Sequence, residues 1–230
     1  MSLKTLKKPV VKAAKTVKTQ VFAVVNYKGG VGKSTISAHL SAHLKAVVID
    51  LDQNGDSARF GEAYGLEVHR LFGAGPEKLY DLVERLREEG RVVVVDCPPG
   101  ESPLTKIALL CADVVVTPSR PGPYDLFSLG RVAIAVREAT QARGQVPLLY
   151  VCNFYRNTEV SKIFEGTLMA SPDGRYIGKV WERKEYAECI RVNKPVWEFA
   201  PKSTGAQEML NLVTFLAKAG EQMRVEAANA

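Results

Sequence analysis

The chain lacks several things that would each point to a definite class of protein. No uncharged apolar run approaches the roughly 18 residues that a membrane helix requires, so a soluble protein is expected. The first residues hold no long apolar stretch of the secretory kind. There are only four cysteines (Cys97, Cys111, Cys152 and Cys189), and none shares a C-x-x-C spacing. They fall in or beside apolar runs, which predicts buried free thiols in a reducing cytoplasm. Histidine is scarce as well. His39 and His43 stand four apart, but no H-E-x-x-H or third ligand accompanies them, so packing or surface roles are expected rather than a metal. Acidic residues are absent from residues 1–19, which carry Lys4, Lys7, Lys8, Lys12, Lys15 and Lys18. The whole excess behind the net charge of +6 sits there, because the basic residues that remain match the 25 acidic ones. The sequence leaves open a phosphate-contacting arm or a merely solubilising extension, and, ranked below them, weak membrane contact through Leu3, Leu6, Val10, Ala14 and Val17, where Pro9 interrupts any early helix. No internal repeat or internal linker interrupts the rest.

What is present is a regular alternation. Continuous apolar runs such as VFAVV (21–25), AVVID (46–50), RVVVVD (91–96), ADVVVTPS (112–119) and VPLLYVCN (146–153) read as buried strands. Helical stretches separate them: 33–44, 76–90, 125–142, then roughly 182–191 and about Thr204 to Met223. A further strand is expected near RYIGKV. Strands that are apolar throughout, rather than alternating, imply a parallel sheet covered on both faces. The expectation is one α/β domain over residues 20–225, doubly wound and mostly parallel, between a basic tail (1–19) and a short C-terminal tail (226–230).

The chemistry concentrates in YKGGVGKST, residues 27–35. It nearly fits the phosphate-binding pattern G-x-x-x-x-G-K-[ST], except that Tyr27 stands where the opening glycine belongs and a second lysine, Lys28, follows. The backbone of Gly29, Gly30, Val31 and Gly32 and the N-terminus of the next helix suit phosphate oxygens. Lys33 is expected to reach the β- and γ-phosphates, the Ser34 hydroxyl to ligate Mg²⁺, and Thr35 to bond an α-phosphate oxygen. A strand before the loop and a helix after it supply the context the pattern needs.

KGGVGKST (28–35) resembles the deviant Walker A motif of the ParA/MinD superfamily of P-loop ATPases, and CADVVVTPSRPGPYDLFSL (111–129) resembles, within it, the ParA/Soj-type partition ATPases. The resemblance covers roughly residues 20–222. It implies ATP and Mg²⁺ as ligands and a homodimer that sandwiches two nucleotides, in which Lys28 reaches the phosphates of the partner's nucleotide. VVIDLDQNGDS (47–57) is similar to the family's acidic switch, where Asp52 would orient the attacking water and Asp50 would support Mg²⁺ through its water shell. Gln53 and Asn54 depart from the usual Pro-Gln there. VVVVDCPPG (92–100) resembles the Walker B strand, with Asp96 as the carboxylate behind Mg²⁺. Asn153 matches a position that commonly contacts adenine, although a turn asparagine at a strand end reads equally well. VWERKEYAECI and KPVWEFAPKSTGAQE resemble the segment with which small ParA proteins hold DNA without sequence preference. Its candidates here are Arg183, Lys184, Arg191, Lys194 and Lys202, each otherwise an ordinary solvated charge.

The implied activity is a slow, partner-stimulated ATPase. It would be cytoplasmic and nucleoid-associated, would work with a ParB-like centromere-binding partner or other adaptor, and would position plasmid or chromosomal DNA. A MinD-like membrane-associated ATPase and a nucleotide switch with a non-DNA cargo are the alternatives. The C-terminal AGEQMRVEAANA is not basic, which argues against stable membrane association.

Overall fold

The computed structural model describes residues 20–228. The lysine-rich stretch 1–19 and the arm expected of it lie outside the described residues. In chain order the elements are β1 (Val21–Val24), α1 (Lys33–Leu44), β2 (Val47–Asp50), α2 (Asp56–Tyr64), β3 (Val68–Arg70), α3 (Pro76–Glu88), β4 (Val93–Asp96) and α4 (Pro103–Cys111). There follow β5 (Val114–Ser119), α5 (Pro123–Arg143), β6 (Leu148–Tyr155), α6 (Glu159–Met169), β7 (Arg175–Trp181), α7 (Lys184–Arg191), α8 (Val196–Phe199) and α9 (Thr204–Ala228). The seven strands form one sheet in the order β3-β2-β4-β1-β5-β6-β7. Every pairing in it is parallel.

The strand residues explain this arrangement. Successive side chains point to opposite faces, so a strand covered on both sides must be apolar at every position. In β1, Val21 and Ala23 join a core with Leu79 and Leu86 of α3, Leu109 of α4, Val132 of α5 and Phe164 of α6. Phe22 and Val24 join the opposite core, with Ile36 and Leu40 of α1, Cys189 of α7, and Met209, Val213 and Leu216 of α9. Full burial of such a side chain is worth roughly 1.5–3 kcal/mol. The hydrophobic stripe of α9 is therefore core, as its spacing predicts.

Four elements go beyond the sequence reading. The strand β3 is too short to show a period, and α8 is a single turn. Helix α2 is preceded by Gly55, which adopts φ 64° and offers no side-chain cap. Helix α4 had a cue, because Ser102 accepts from Thr105 N and Pro103 stands in the first turn. At the other end, α9 continues to Ala228, past the expected stop near Met223.

Parallel order places the C-terminal ends of β1, β2, β4 and β6 on one edge of the sheet. Tyr27–Gly32, Asp52 and Cys97–Gly100 follow from the first three of those ends, and Asn153 and Phe154 lie in the last residues of β6. This is the crevice in which ligands of open α/β sheets sit.

Candidate nucleotide site

The loop between β1 and α1 is shaped by two glycines in the left-handed region, Gly30 at φ 70° and Gly32 at φ 92°. A Cβ on Gly32 would fall 2.1 Å from Asn153 Nδ2, so only glycine fits there. Asn153 is buried and donates from Nδ2 to the Val31 carbonyl at 2.9 Å. It thus braces the loop, a different use of the amide from the base contact implied by resemblance. Asn26, which the sequence reading passed over, works from the other side. It is fully buried, donates to the Pro118 carbonyl at 2.8 Å, and accepts from Lys28 N at 2.9 Å and from Ser128 Oγ at 2.6 Å. The sequence signal for it was a polar residue closing an apolar strand.

The two lysines point to different places. Lys33 is 6% exposed, and its Nζ donates to the Lys28 carbonyl at 3.1 Å. Burial pushes its pKa down, while Asp96 and Asp52 pull it back up. Lys28 has a side chain 41% exposed, and its Nζ pairs at 2.7 Å with Asp125 Oδ2 in the first turn of α5.

The carboxylates divide similarly. Asp96 is fully buried at the end of β4. Its Oδ1 accepts from Ser37 Oγ at 2.9 Å, whereas its Oδ2 is buried without a hydrogen-bond partner. Burial and the Asp50 charge push its pKa up to about 7, against the opposing pull of the nearby Ser34, Ser37 and Ser57 hydroxyls. An orphaned carboxylate oxygen next to a helix-start serine and a second carboxylate is an environment that a hard divalent cation would stabilise, so the donor set fits Mg²⁺. Asp50 is largely committed to the protein. It accepts from Asp52 N at 2.9 Å, Ser57 Oγ at 2.8 Å and Ala58 N at 2.9 Å, and so ties down the start of α2. Asp52 caps the exposed turn that follows, accepting from Asn54 N at 2.9 Å.

Gly30, Lys33, Ser34, Asp52, Asn54 and Phe154 border an open cleft of about 300 Å³. A smaller cavity of about 110 Å³ shares Thr35 and Phe154 with it and adds Asn153, Trp181 and Tyr186. Phe154 holds φ 52° beneath the Arg120 guanidinium, 4.6 Å from its ring centre. A larger groove of about 720 Å³, beside β3 and α3, contains none of the motif residues.

Of the basic candidates, Arg183 lines the smaller cavity, and the others border neither it nor the cleft. Lys184, Arg191, Lys194 and Lys202 are exposed. Arg183 is half-buried and bidentate to Glu208, with Nε–Oε2 at 3.0 Å. All four cysteines are free and buried.

Comparison with known proteins agrees with this geometry. The family described as the CobQ/CobB/MinD/ParA nucleotide binding domain matches residues 22–196. The maintenance of carboxysome distribution protein A of Gloeobacter kilaueensis is 37% identical over 117 residues, 48% of this chain and 53% of that protein. The chromosome-partitioning ATPase Soj of Thermus thermophilus is 27% identical over 228 residues, 82% of this chain and 92% of Soj. Among solved structures, the septum site-determining protein MinD of Pyrococcus horikoshii superposes with a TM-score of 0.70 at 20% identity, over 89% of this chain and 98% of that one. The chain belongs to the CobQ/CobB/MinD/ParA family of nucleotide-binding domains and is an ATPase of that family.

Proposed function

We propose that this chain binds ATP with Mg²⁺ at residues 28–35, closes into a sandwich homodimer, and in that state holds DNA without sequence preference to position a DNA cargo. Lys33 and the amides of Gly29–Gly32 would take the phosphates, Thr35 would take an α-phosphate oxygen, and Ser34 would hold Mg²⁺, with Asp96 and Asp50 behind it through its water shell. Mg²⁺ would neutralise charge on the transferred phosphoryl group. Asp52, on its exposed turn, faces the same cleft and would orient water.

The observation that carries this reading is the separation of the two lysines. Lys33 is buried against its own loop, whereas Lys28 stands at the outer edge, half-exposed. A cation in that position suits a neighbour's phosphates, as an arginine finger does. For DNA, the exposed Lys184, Arg191, Lys194 and Lys202 support phosphate contact better than Arg183, whose charge is already matched by Glu208. A ParB-like partner or another adaptor would stimulate hydrolysis and release the dimer, in the cytoplasm and on the nucleoid.

Light scattering with and without ATP and Mg²⁺, followed by DNA retention across a salt series, tests this. An ATP-dependent dimer with salt-sensitive retention is expected; no dimer and no retention would overturn it. A second reading is supported by the likeness to a protein named for carboxysome distribution: the same cycle with a non-DNA cargo. Purification of bound partners from the source cell separates these. Among the described residues no helix is long and apolar enough to cross a membrane. Co-sedimentation with anionic vesicles in ATP tests the MinD-like alternative of surface attachment.

A further inference from the structure

His39 lies on α1 one turn after Thr35 and is fully buried. Its Nδ1 is 2.7 Å from the Thr35 carbonyl oxygen, and its Nε2 is 3.1 Å from Val196 N. The Val196 N–H can only donate, so Nε2 accepts and the ring proton sits on Nδ1, donating to Thr35. Burial pushes the imidazole pKa down to about 4, so the ring is neutral near pH 7 and offers the one donor and one acceptor this arrangement needs. The Cys189 sulfur lies 3.6 Å from Nε2.

Three segments meet at this ring. The first is the start of α1, directly after the phosphate loop. The second is α2: Phe60 stacks on His39 with ring centres 6.3 Å apart. Asp50 holds the first turn of α2, and Asp52 caps the turn that leads into it. The third is the basic stretch 184–202, whose Cys189, Val196 and Trp197 approach the ring between its exposed lysines and arginine. Trp197 lies edge-on to His39 at 5.5 Å. The link between α2 and that stretch is doubled, because Tyr64 donates to Glu198 and Trp197 packs against Phe60 and Ala38.

We infer that His39 is a positioning residue that couples the state of the phosphate loop and the Asp52 turn to the 184–202 segment. The imidazole spends both nitrogens on buried backbone groups of two different segments, so neither can move without breaking a buried hydrogen bond or taking the other along. Packed contacts of this kind pass on small displacements because they switch between arrangements rather than deform continuously. The coupling rests on the proposed reading only for its purpose, the control of DNA contact; the physical link can be tested without DNA.

The chain holds two tryptophans, so Trp181→Phe leaves Trp197 as the sole reporter. In that full-length variant, ATP with Mg²⁺ is expected to shift Trp197 emission. Adding His39→Asn keeps a donor for the Thr35 carbonyl but is too short to reach Val196. Nucleotide titration should still show binding, while the emission shift is lost and amide exchange over 184–199 no longer responds to ATP. No shift in Trp181→Phe, or the same shift with His39→Asn added, would overturn the inference. If His39→Asn does not fold, His39→Gln, which reaches Val196 but not Thr35, serves in its place with the same expected loss. A shift that depends on His39 without any DNA retention would leave this coupling standing and defeat the DNA reading. Retention with no shift would do the reverse.

Discussion

The two ends of the phosphate loop are built on opposite plans. The inner end, Val31–Thr35, is fastened by buried groups: Asn153 on Val31, the Lys33 ammonium on the Lys28 carbonyl, and His39 on Thr35. The outer end, Tyr27–Gly29, rests on Asn26, and its half-exposed lysine is held by one ion pair, to the buried Asp125 carboxylate. A rigid inner end serves affinity, since little has to be ordered when phosphate arrives. An outer end with a half-exposed cation can serve a second body. One motif can thus separate binding from turnover along nine residues of chain.

The sharpest way to break this contrast is Lys28→Ala. Loss of a cation that acts only in the transition state should lower hydrolysis by about a thousandfold, with nucleotide affinity nearly intact. Steady-state phosphate release beside a nucleotide titration checks it, and normal hydrolysis would erase the difference between the ends. Lys33→Ala should instead strike binding itself and cost about a hundredfold in nucleotide affinity, on the scale of removing a charge-assisted hydrogen bond from a buried site; calorimetry reads it directly.

A pH series probes the rigid end. The His39 pKa is depressed in the folded state, so the unfolded chain takes up the proton first as pH falls. Stability from this group is complete above pH 6.5 and is lost between about 6.5 and 4. Its neighbours Tyr186 and Cys189 stay neutral throughout, since burial raises both their pKa values. Denaturant midpoints should therefore show about 2 kcal/mol more loss between pH 7 and pH 5 in the parent than in His39→Asn. Equal losses would mean the ring is not held neutral. The smallest effect is expected at the outer end. Asp125→Asn removes the charge of the cis partner of Lys28 and should favour the ATP-dependent dimer by a few-fold, about 1 kcal/mol, in sedimentation at limiting ATP.

Much of this was legible in the sequence because it depends on local pattern. Five apolar runs gave five strands of the sheet, since burial on both faces leaves no room for polar positions, and a sixth was expected near RYIGKV. KGGVGKST marked the loop because φ > 0 at Gly30 and Gly32 and a lysine at the helix start are local requirements. What escaped depends on distant partners. Asn26 acquires its role only when Pro118 and Ser128 arrive from β5 and α5. Asp125 is an ordinary helix-start acid until Lys28 lies against it, and His39 looks like a surface or packing histidine until Val196 folds over it. Asp50 was assigned by resemblance to the metal's surroundings; its hydrogen bonds to Ser57 and Ala58 reveal a brace for α2 that no spacing rule encodes.

The strand order also bears on how the chain comes to exist. β1 pairs on one side with β4, Val21 opposite Val93, and on the other with β5, Phe22 opposite Val114. Both neighbours lie far along the chain, and such non-local pairings form slowly because long loops must close first. During synthesis the loop after β1 emerges early yet has no walls until residues beyond Ser119 have followed. A nascent chain stopped after α3 should therefore be unable to hold nucleotide even though it carries the whole KGGVGKST motif. Until β4 arrives, β1 has neither neighbour to pair with, which makes the interval before β4 the stretch of synthesis most exposed to aggregation.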